Sequence, residues 1–496
     1  MFEADILQTF YFTLFQAALS TFLSLLLGIV IAWSLVHQRN FWASRVSRVV
    51  LSVSIVLPVI IVAFGLIGIY GRNGWLNQAA EYLFGFSFGA FLYGLFGILL
   101  AHVYLNASYA AVTLTGAFEM IPLEQYKLSK SLGFGPWKRF WYVEYPAVKS
   151  TLYRSASTIF LLCFTSFGVV LLLGGQPRYN TLQVAIYEAL RIDFDIPKTL
   201  HLALLQLTVS SLLVVAASLV TGKTGNLKQA SVPIPWRESG GSAFFQKNMI
   251  FLFLIFFLLP LIEIAYEALG HDLFSVMNEP LFQKALLTSL LIATISSILS
   301  IAVSLGIASL QLNLLNRQTR VAKVLYSATA VLSNIYLAVP SLVMGFGFFL
   351  YIQAYDLDMD RWGFIAVVLS NILLSLPFAT SSISPKMEQV SNRYRKLTAS
   401  LGMGAAKRFF IVYLPYLLPS IGFVWALSFC FSLGDLGIIA LFGSDELVTL
   451  PWYLYELMGS YRTHQAASVA LILLVLVIAI FIVIPKMVGK LHAENR

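Results

Sequence analysis

Two stretches of the chain repeat one another and determine how the rest is organised. Residues Lys127–Pro146 read KLSKSLGFGPWKRFWYVEYP, and residues Lys396–Pro415 read KLTASLGMGAAKRFFIVYLP. Eleven of the twenty positions are identical without a gap, at an offset of 269 residues. We call these stretches the first and the second repeat segment. Their similarity predicts an internal duplication, with two homologous halves in one chain.

Shorter matches extend the duplication to both sides of the repeat segments. They pair Pro58…Gly65 with Pro340…Gly347, Cys163-Phe164 with Cys430-Phe431, and Thr181-Leu182…Tyr187-Glu188 with Thr449-Leu450…Tyr455-Glu456. We therefore predict a first half over residues 1–220 and a second half over residues 248–496. The polar stretch 221–247, which contains Pro and Gly, is interpreted as a linker between them. One helix of the second half, 248–268, has no counterpart in the first.

The composition indicates a membrane protein. Of the 496 residues, 59% are hydrophobic and 11% are charged, whereas soluble domains carry about 25% charged residues. This excludes a large soluble enzyme, a disordered chain and a nucleic-acid-binding protein. Eleven apolar runs are long enough to span a bilayer: 7–36, 45–70, 89–118, 152–175, 200–220, 248–268, 283–312, 323–353, 362–383, 416–442 and 464–486. We predict an all-α polytopic membrane protein with two five-helix cores.

The positive charges show which loops face the cytoplasm. Alternate loops hold 25 of the 32 Lys and Arg residues, and the positive-inside rule makes those loops cytoplasmic. Both repeat segments then lie in the cytoplasm, and so does the C-terminus. Six spans separate the repeat segments, so the halves have the same orientation and are parallel repeats about an axis along the membrane normal.

Each repeat segment has the features of a folded element. Gly133 and Gly402 suit a turn with positive φ or a close approach of the backbone, and Pro146 and Pro415 suit the start of the next helix. Positive-inside loops would not by themselves keep a gapless pattern of twenty residues. We therefore favour a symmetric pair of cytoplasmic docking elements over simple basic loops.

The spacing within the repeat segments resembles the EAA motif of ABC importer permeases, which has a glycine and, thirteen residues later, a proline. Lys127-Leu128-Ser129 and Lys396-Leu397-Thr398 stand where that family has Glu-Ala-Ala. The resemblance implies that each segment forms a coupling helix in a groove of an ATPase subunit. The positions it marks for coupling are Lys127, Ser131, Leu132, Gly133, Gly135, Phe140 and Pro146, and Lys396, Ser400, Leu401, Gly402, Gly404, Phe409 and Pro415.

Further local matches make the chain similar to the fused permeases of bacterial thiamine and thiamine pyrophosphate importers. They are Ile69–Arg72, Leu99–Val103, Ala185–Tyr187, Gly434-Asp435, Ala440–Gly443 and Gly459–Arg462. This resemblance implies a type I importer permease in the bacterial inner membrane. It also implies two partners, namely two copies of an ABC ATPase and a periplasmic thiamine-binding protein. Permeases for ferric iron or another small solute are the first alternative, and an ion-driven secondary transporter is the second.

The sequence holds no catalytic constellation of its own. The nearest approach to a P-loop is Thr221–Thr224, but Ala217 occupies the position where that motif requires its first glycine. The six histidines are scattered, and we predict no metal site and no cofactor. We therefore expect no enzymatic activity in this chain, with ATP and Mg bound by the partner ATPase.

Polar groups that cost free energy at membrane depth indicate where the translocation pathway lies. Asp435, beside Gly434, falls inside the predicted span 416–442, and a carboxylate at bilayer depth usually faces water or a partner. We predict a pathway or gate role for it and for the first-half counterpart Phe167-Gly168, with a helix-packing hydrogen bond as the alternative.

On the outer side, four residues are predicted to close the periplasmic face and meet the binding protein. They are Tyr187, Glu188, Tyr455 and Glu456. Anchoring of aromatic residues at the membrane interface is the alternative. His102, inside a span, is interpreted as a packing residue.

Overall fold

The computed structural model describes residues 2–175, 179–221, 240–270, 273–317, 319–333 and 339–494. Within these ranges the chain is almost entirely helical and contains no strand. It divides into two compact units, Met1–Gly270 and His271–Arg496. The predicted all-α fold is thereby confirmed.

The helices of the first unit follow the predicted apolar runs and are separated by glycine, proline or polar turns. In chain order they are α1 Phe2–His37, α2 Trp42–Ser54, α3 Val59–Tyr70, α4 Trp75–Phe84, α5 Leu95–Glu119, α6 Leu123–Ser131, α7 Pro136–Arg139, α8 Tyr145–Phe164, α9 Gly168–Leu173, α10 Leu182–Tyr187, α11 Ile196–Thr221 and α12 Gly241–Leu269. Wider, π-type turns occupy Phe140–Glu144 and Glu188–Ile192.

The second unit repeats this order with longer and fewer helices. They are α13 Leu273–Met277, α14 Pro280–Leu315, α15 Arg320–Ser333, α16 Ser341–Ala354, α17 Met359–Ser400, α18 Ala405–Arg408, α19 Leu414–Leu433, α20 Ile439–Phe442, α21 Leu450–Gly459 and α22 Thr463–Glu494. A π-type turn occupies Phe409–Tyr413. As in the first unit, where α3 follows Pro58, α16 follows a proline, Pro340.

Nine helical stretches among the described residues are long and apolar enough to cross a membrane. This confirms a multi-pass membrane protein, although eleven spans were predicted. The run 152–175 is not one helix, because α8 ends at Phe164 and α9 begins at Gly168. The run 323–353 includes residues 334–338, which lie outside the described part of the chain.

Each unit is built around one long pair of helices. In the first unit α1 packs along α5, and a Cβ added to Gly28 would lie only 2.5 Å from Ala110 Cβ. In the second unit α14 packs along α17, where the hydroxyls of Ser375 and Ser300 are hydrogen-bonded at 2.8 Å. Small and hydroxyl-bearing residues allow such close approach between membrane helices. The same pairing in both units agrees with the duplication.

Helix α12 departs from the predicted domain boundaries. It begins at Gly241, so residues 241–247 are helical although the linker was predicted to extend to 247. It also packs within the first unit rather than the second. Tyr104 stacks on Phe257 with ring centroids 4.5 Å apart and donates a 2.7 Å hydrogen bond to its carbonyl. A duplication identifies a helix without a counterpart, but it does not determine where that helix packs.

Candidate coupling and translocation elements

The glycine of each repeat segment forms the same turn. Gly133 has φ +69° and Gly402 has φ +58°, which confirms the prediction of positive φ. In both turns a backbone N–H just past the glycine reaches back to a carbonyl five residues earlier. Phe134 N donates to Ser129 O at 2.9 Å, and Met403 N donates to Thr398 O at 3.0 Å. This pattern ends a helix by satisfying its last carbonyls.

The proline of each repeat segment follows a π-type turn. Pro146 is the second residue of α8 and Pro415 is the second residue of α19, as predicted for helix starts. A proline has no N–H with which to continue the α-helical hydrogen-bond ladder. The preceding N–H instead bonds five residues back, so that Tyr145 N donates to Phe140 O. Leu414 N donates to Phe409 O in the same way.

The tip of each repeat segment exposes apolar side chains beside its turn. Leu132 is 61% exposed and Leu401 is 65% exposed. Leu128 and Leu397, one turn earlier, are exposed as well. A Cβ added to Gly133 or Gly402 would meet nothing within 4 Å. Each tip is therefore a small apolar projection next to a fixed turn.

The remaining predicted coupling residues divide by their exposure. Seven of them are exposed to solvent: Lys127, Ser131, Gly135 and Pro146 in the first segment, and Lys396, Ser400 and Gly404 in the second. Phe140, Phe409 and Pro415 are half-buried at the base, where the segments join the body of their units. Ser131 and Ser400 each donate to the carbonyl three residues earlier, at 2.8 and 2.9 Å.

Both units interrupt a helix at the predicted pathway position. In the first, α8 ends one residue after Cys163 and the chain bends before Gly168. In the second, α19 ends at Leu433, three residues after Cys430. The prediction that Asp435 lies within a continuous span 416–442 was therefore wrong. Asp435 lies in the turn that follows Gly434, and its Oδ1 accepts from Gly437 N at 2.9 Å, which stabilises the turn.

The outer elements of the first unit bring predicted pathway and closing residues together. The rings of Phe167 and Tyr187 lie 5.4 Å apart, and both residues are buried. Glu188 accepts a short hydrogen bond from the side-chain amide of Asn180. Burial raises the pKa of the Glu188 carboxyl. Helix α10 is joined to α1 because Thr13 Oγ1 accepts from Leu182 N at 3.1 Å.

The second unit repeats the link from the outer helix to the first long helix. Ser289 Oγ on α14 accepts from Leu450 N at 2.8 Å, as Thr13 does in the first unit. The predicted closing residue Tyr455 packs on Trp452 with ring centroids 5.5 Å apart, and Glu456 is exposed.

The hydrogen-bonded group around Glu279 was not predicted from the sequence. Glu279, which precedes α14, accepts hydrogen bonds from the Tyr453 hydroxyl, from Arg462 and from Gln465, the last two at 3.1 Å. Burial, followed by the hydrogen bond to Glu279, raises the pKa of Tyr453. The partners are 174 or more residues from Glu279 in sequence, and no local pattern links them.

His102 is a packing residue, as interpreted from the sequence. It is buried in α5, and its Nδ1 lies 3.0 Å from the hydroxyl of Ser20 on α1. Among the described residues, no three His, Cys, Asp or Glu side chains are grouped closely enough to hold a metal ion.

Comparison with known proteins agrees with this architecture. The family described as "Binding-protein-dependent transport system inner membrane component" matches the chain twice, over residues 24–226 and 307–485. The chain belongs to this family, and the two matches correspond to its two halves.

Several relatives match over nearly the whole chain. The thiamine transport system permease protein ThiP of Haemophilus influenzae is 36% identical over 96% of this chain and 88% of its own length. ThiP of Escherichia coli is 34% identical over 97% of this chain and 88% of its own. The molybdenum transport system permease protein ModB of Azotobacter vinelandii is 30% identical, but over only 35% of this chain.

Proposed function

We propose that this chain is the permease of an ATP-driven thiamine importer and moves thiamine, or its phosphates, into the cytoplasm by alternating access. The observation that carries the proposal is the similarity over almost the entire chain to relatives named as thiamine permeases. A relative named for molybdenum transport is similar over about a third of the chain. Thiamine is accordingly favoured over ferric iron.

The two repeat segments dock two copies of an ABC ATPase. Support comes from their matching turns at Gly133 and Gly402 and from the exposed leucines beside them. A projection with a fixed backbone and an apolar tip suits a hydrophobic groove on a partner. ATP and Mg are bound by that partner, since the sequence of this chain contains no P-loop.

The interrupted helices near Cys163 and Cys430 line the pathway. Irregular backbone at membrane depth is tolerated where it is buried in protein or lines a water-filled cavity. Asp435 adds a negative charge to the turn of the second unit, and a carboxylate suits a thiazolium cation. Phe167, beside Tyr187, forms the apolar counterpart in the first unit.

Helices α10 and α21 close the outer side and contact a periplasmic thiamine-binding protein. The matched bonds that tie them to α1 and α14 hold both helices to the long helix of their unit. With the repeat segments in the cytoplasm, the C-terminal helix α22 also ends there. The permease lies in the inner membrane of a bacterium.

Reconstitution tests the function. Proteoliposomes containing the permease and its ATPase are supplied with the binding protein, ATP and radiolabelled thiamine. We expect ATP-dependent uptake that unlabelled thiamine abolishes and ferric iron does not. Uptake driven by a proton or sodium gradient without ATP would contradict the proposal, as would competition by ferric iron alone.

A further inference from the structure

A buried carboxylate lies at the base of the first repeat segment. Glu144, the last residue of the π-type turn before α8, is 0% exposed. Its Oε2 accepts a hydrogen bond from Trp33 Nε1 at 2.9 Å, and its Oε1 lies 3.0 Å from His37 Nε2. Trp33 and His37 are one turn apart at the cytoplasmic end of α1. The carboxylate therefore joins the repeat segment to α1.

Two further side chains of the same loop region converge on this carboxylate. Arg139 in α7 places its Nε 3.7 Å from Glu144 Oε1, and the charge of Glu144 acts on the phenol of Tyr126 in α6. Both residues are buried. Burial, followed by the charge of Glu144, raises the pKa of Tyr126. We call these five residues the Glu144 cluster.

The second repeat segment is held differently. Tyr413 occupies the position of Glu144 at the offset of 269 residues, and it packs in an apolar cluster with Ala308 and Leu312 of α14. Arg408 occupies the position of Arg139, but it lies 5.8 Å from the Tyr413 ring. In the second unit, dispersion, one cation–π contact and a 3.3 Å hydrogen bond from the Tyr413 hydroxyl to Ser391 thus replace the contacts of the buried carboxylate.

We propose that Glu144 is a positioning residue that holds the first repeat segment to the cytoplasmic end of α1 and transmits ATPase-driven movement of that segment to α1. This inference rests on the proposed docking of an ATPase at the repeat segments. Separating a buried carboxylate from its partners leaves charges unpaired in a medium of low dielectric constant. The segment and α1 therefore move together, whereas the apolar contacts around Tyr413 are less directional and permit small displacements.

Replacing Glu144 by glutamine tests the inference in the reconstituted complex. Glu144→Gln keeps the shape but removes the charge, and the matched control Tyr413→Phe removes only a hydroxyl from the second segment. We expect Glu144→Gln to lower the thiamine moved per ATP hydrolysed by about tenfold, within the range of typical coupling between sites. Tyr413→Phe should change that ratio by less than about twofold. The ATPase should co-purify with both variants as with the parent protein.

A double-mutant cycle separates positioning from a general loss of structure. Arg139→Ala and Glu144→Gln should be strongly non-additive in thiamine moved per ATP, because they act on one ion pair. Arg408→Ala and Glu144→Gln should be additive within about twofold, since Arg408 belongs to the other segment. If Glu144→Gln does not yield an intact complex, Trp33→Phe, which removes one donor from the carboxylate, replaces it in the same measurements.

Two results would overturn the inference. One is an unchanged ratio of thiamine to ATP in Glu144→Gln, or in Trp33→Phe where that variant replaces it. The other is additivity in the Arg139 cycle. A failure of the proposed docking would be distinguishable from a failure of this inference. In that case co-purification of the ATPase would not depend on the repeat segments even when Glu144 is unchanged.

Discussion

The two repeat segments share one backbone and are held in place by different chemistry. Their glycine turns, π-type turns and prolines superpose in sequence position and in hydrogen-bond pattern. Behind the first segment lies the Glu144 cluster, and behind the second lies the apolar cluster around Tyr413. The shared surface is the part that we propose docks the ATPase. The contacts behind it reach α1 in the first unit and its counterpart α14 in the second, but they differ in chemistry.

The largest expected effect comes from the shared turns. Gly133→Val combined with Gly402→Val places β-branched residues at positive φ, at a cost of about 1–3 kcal/mol for each turn. Because a Cβ at either site meets open space, the strain comes from the backbone alone. We expect the double variant to lose the ATPase, as measured by co-purification from detergent.

Gly135 and Gly404 provide the matched control for these turns. Their φ values are −70° and −63°, and a Cβ at either site meets nothing within 4 Å. Replacing both by alanine adds a methyl group without backbone strain, so co-purification should fall much less than in the valine variant. Equal losses in the two double variants would show that the turn conformation does not matter for docking.

The next largest effect should distinguish the two segments. Glu144→Ala leaves His37 and Arg139 without their buried partner, and breaking a buried pair costs about 3–5 kcal/mol. Tyr413→Phe loses one hydrogen bond, to Ser391 at 3.3 Å, which contributes about 1 kcal/mol. Thermal unfolding of the purified permease should rank the two variants in this order, and similar midpoints would remove the contrast between the segments.

A smaller effect is expected for Asp435, the carboxylate in the turn that follows α19. Asp435→Asn keeps an oxygen that can accept from Gly437 N, so the turn should persist. We expect thiamine transport to fall about tenfold, equivalent to about 1.4 kcal/mol, with the ATPase still bound. Unchanged transport would leave Asp435 as a turn residue only.

The smallest effect should be equal in the two units. Thr13→Val and Ser289→Ala each remove the acceptor for an outer-helix N–H, at Leu182 and Leu450 respectively. Each bond should contribute about 1 kcal/mol to stability. Unfolding measurements on the two single variants should agree closely. A large difference would show that the outer helices, like the repeat segments, are held by diverged contacts.

Local features were predictable because their cause is local. The positive φ of Gly133 and Gly402 follows from a glycine at a helix end, and the helix starts at Pro146 and Pro415 follow from the chemistry of proline. The spans follow from apolar length. Interruptions inside an apolar run were missed because the run was judged by its apolar length, although Gly434 directly follows the end of α19 at Leu433.

The sequence by itself determined the duplication, the membrane class and the two turns, since each depends on residues close together or on composition, and it predicts the sidedness of the loops. The tertiary structure alone decided that α12 packs in the first unit and that Glu144 meets Trp33 across 111 residues of chain. It also decided that Glu279 accepts hydrogen bonds from Tyr453 and Arg462. Long-range partners are chosen by packing between helices, and a single sequence holds no local signal of that choice.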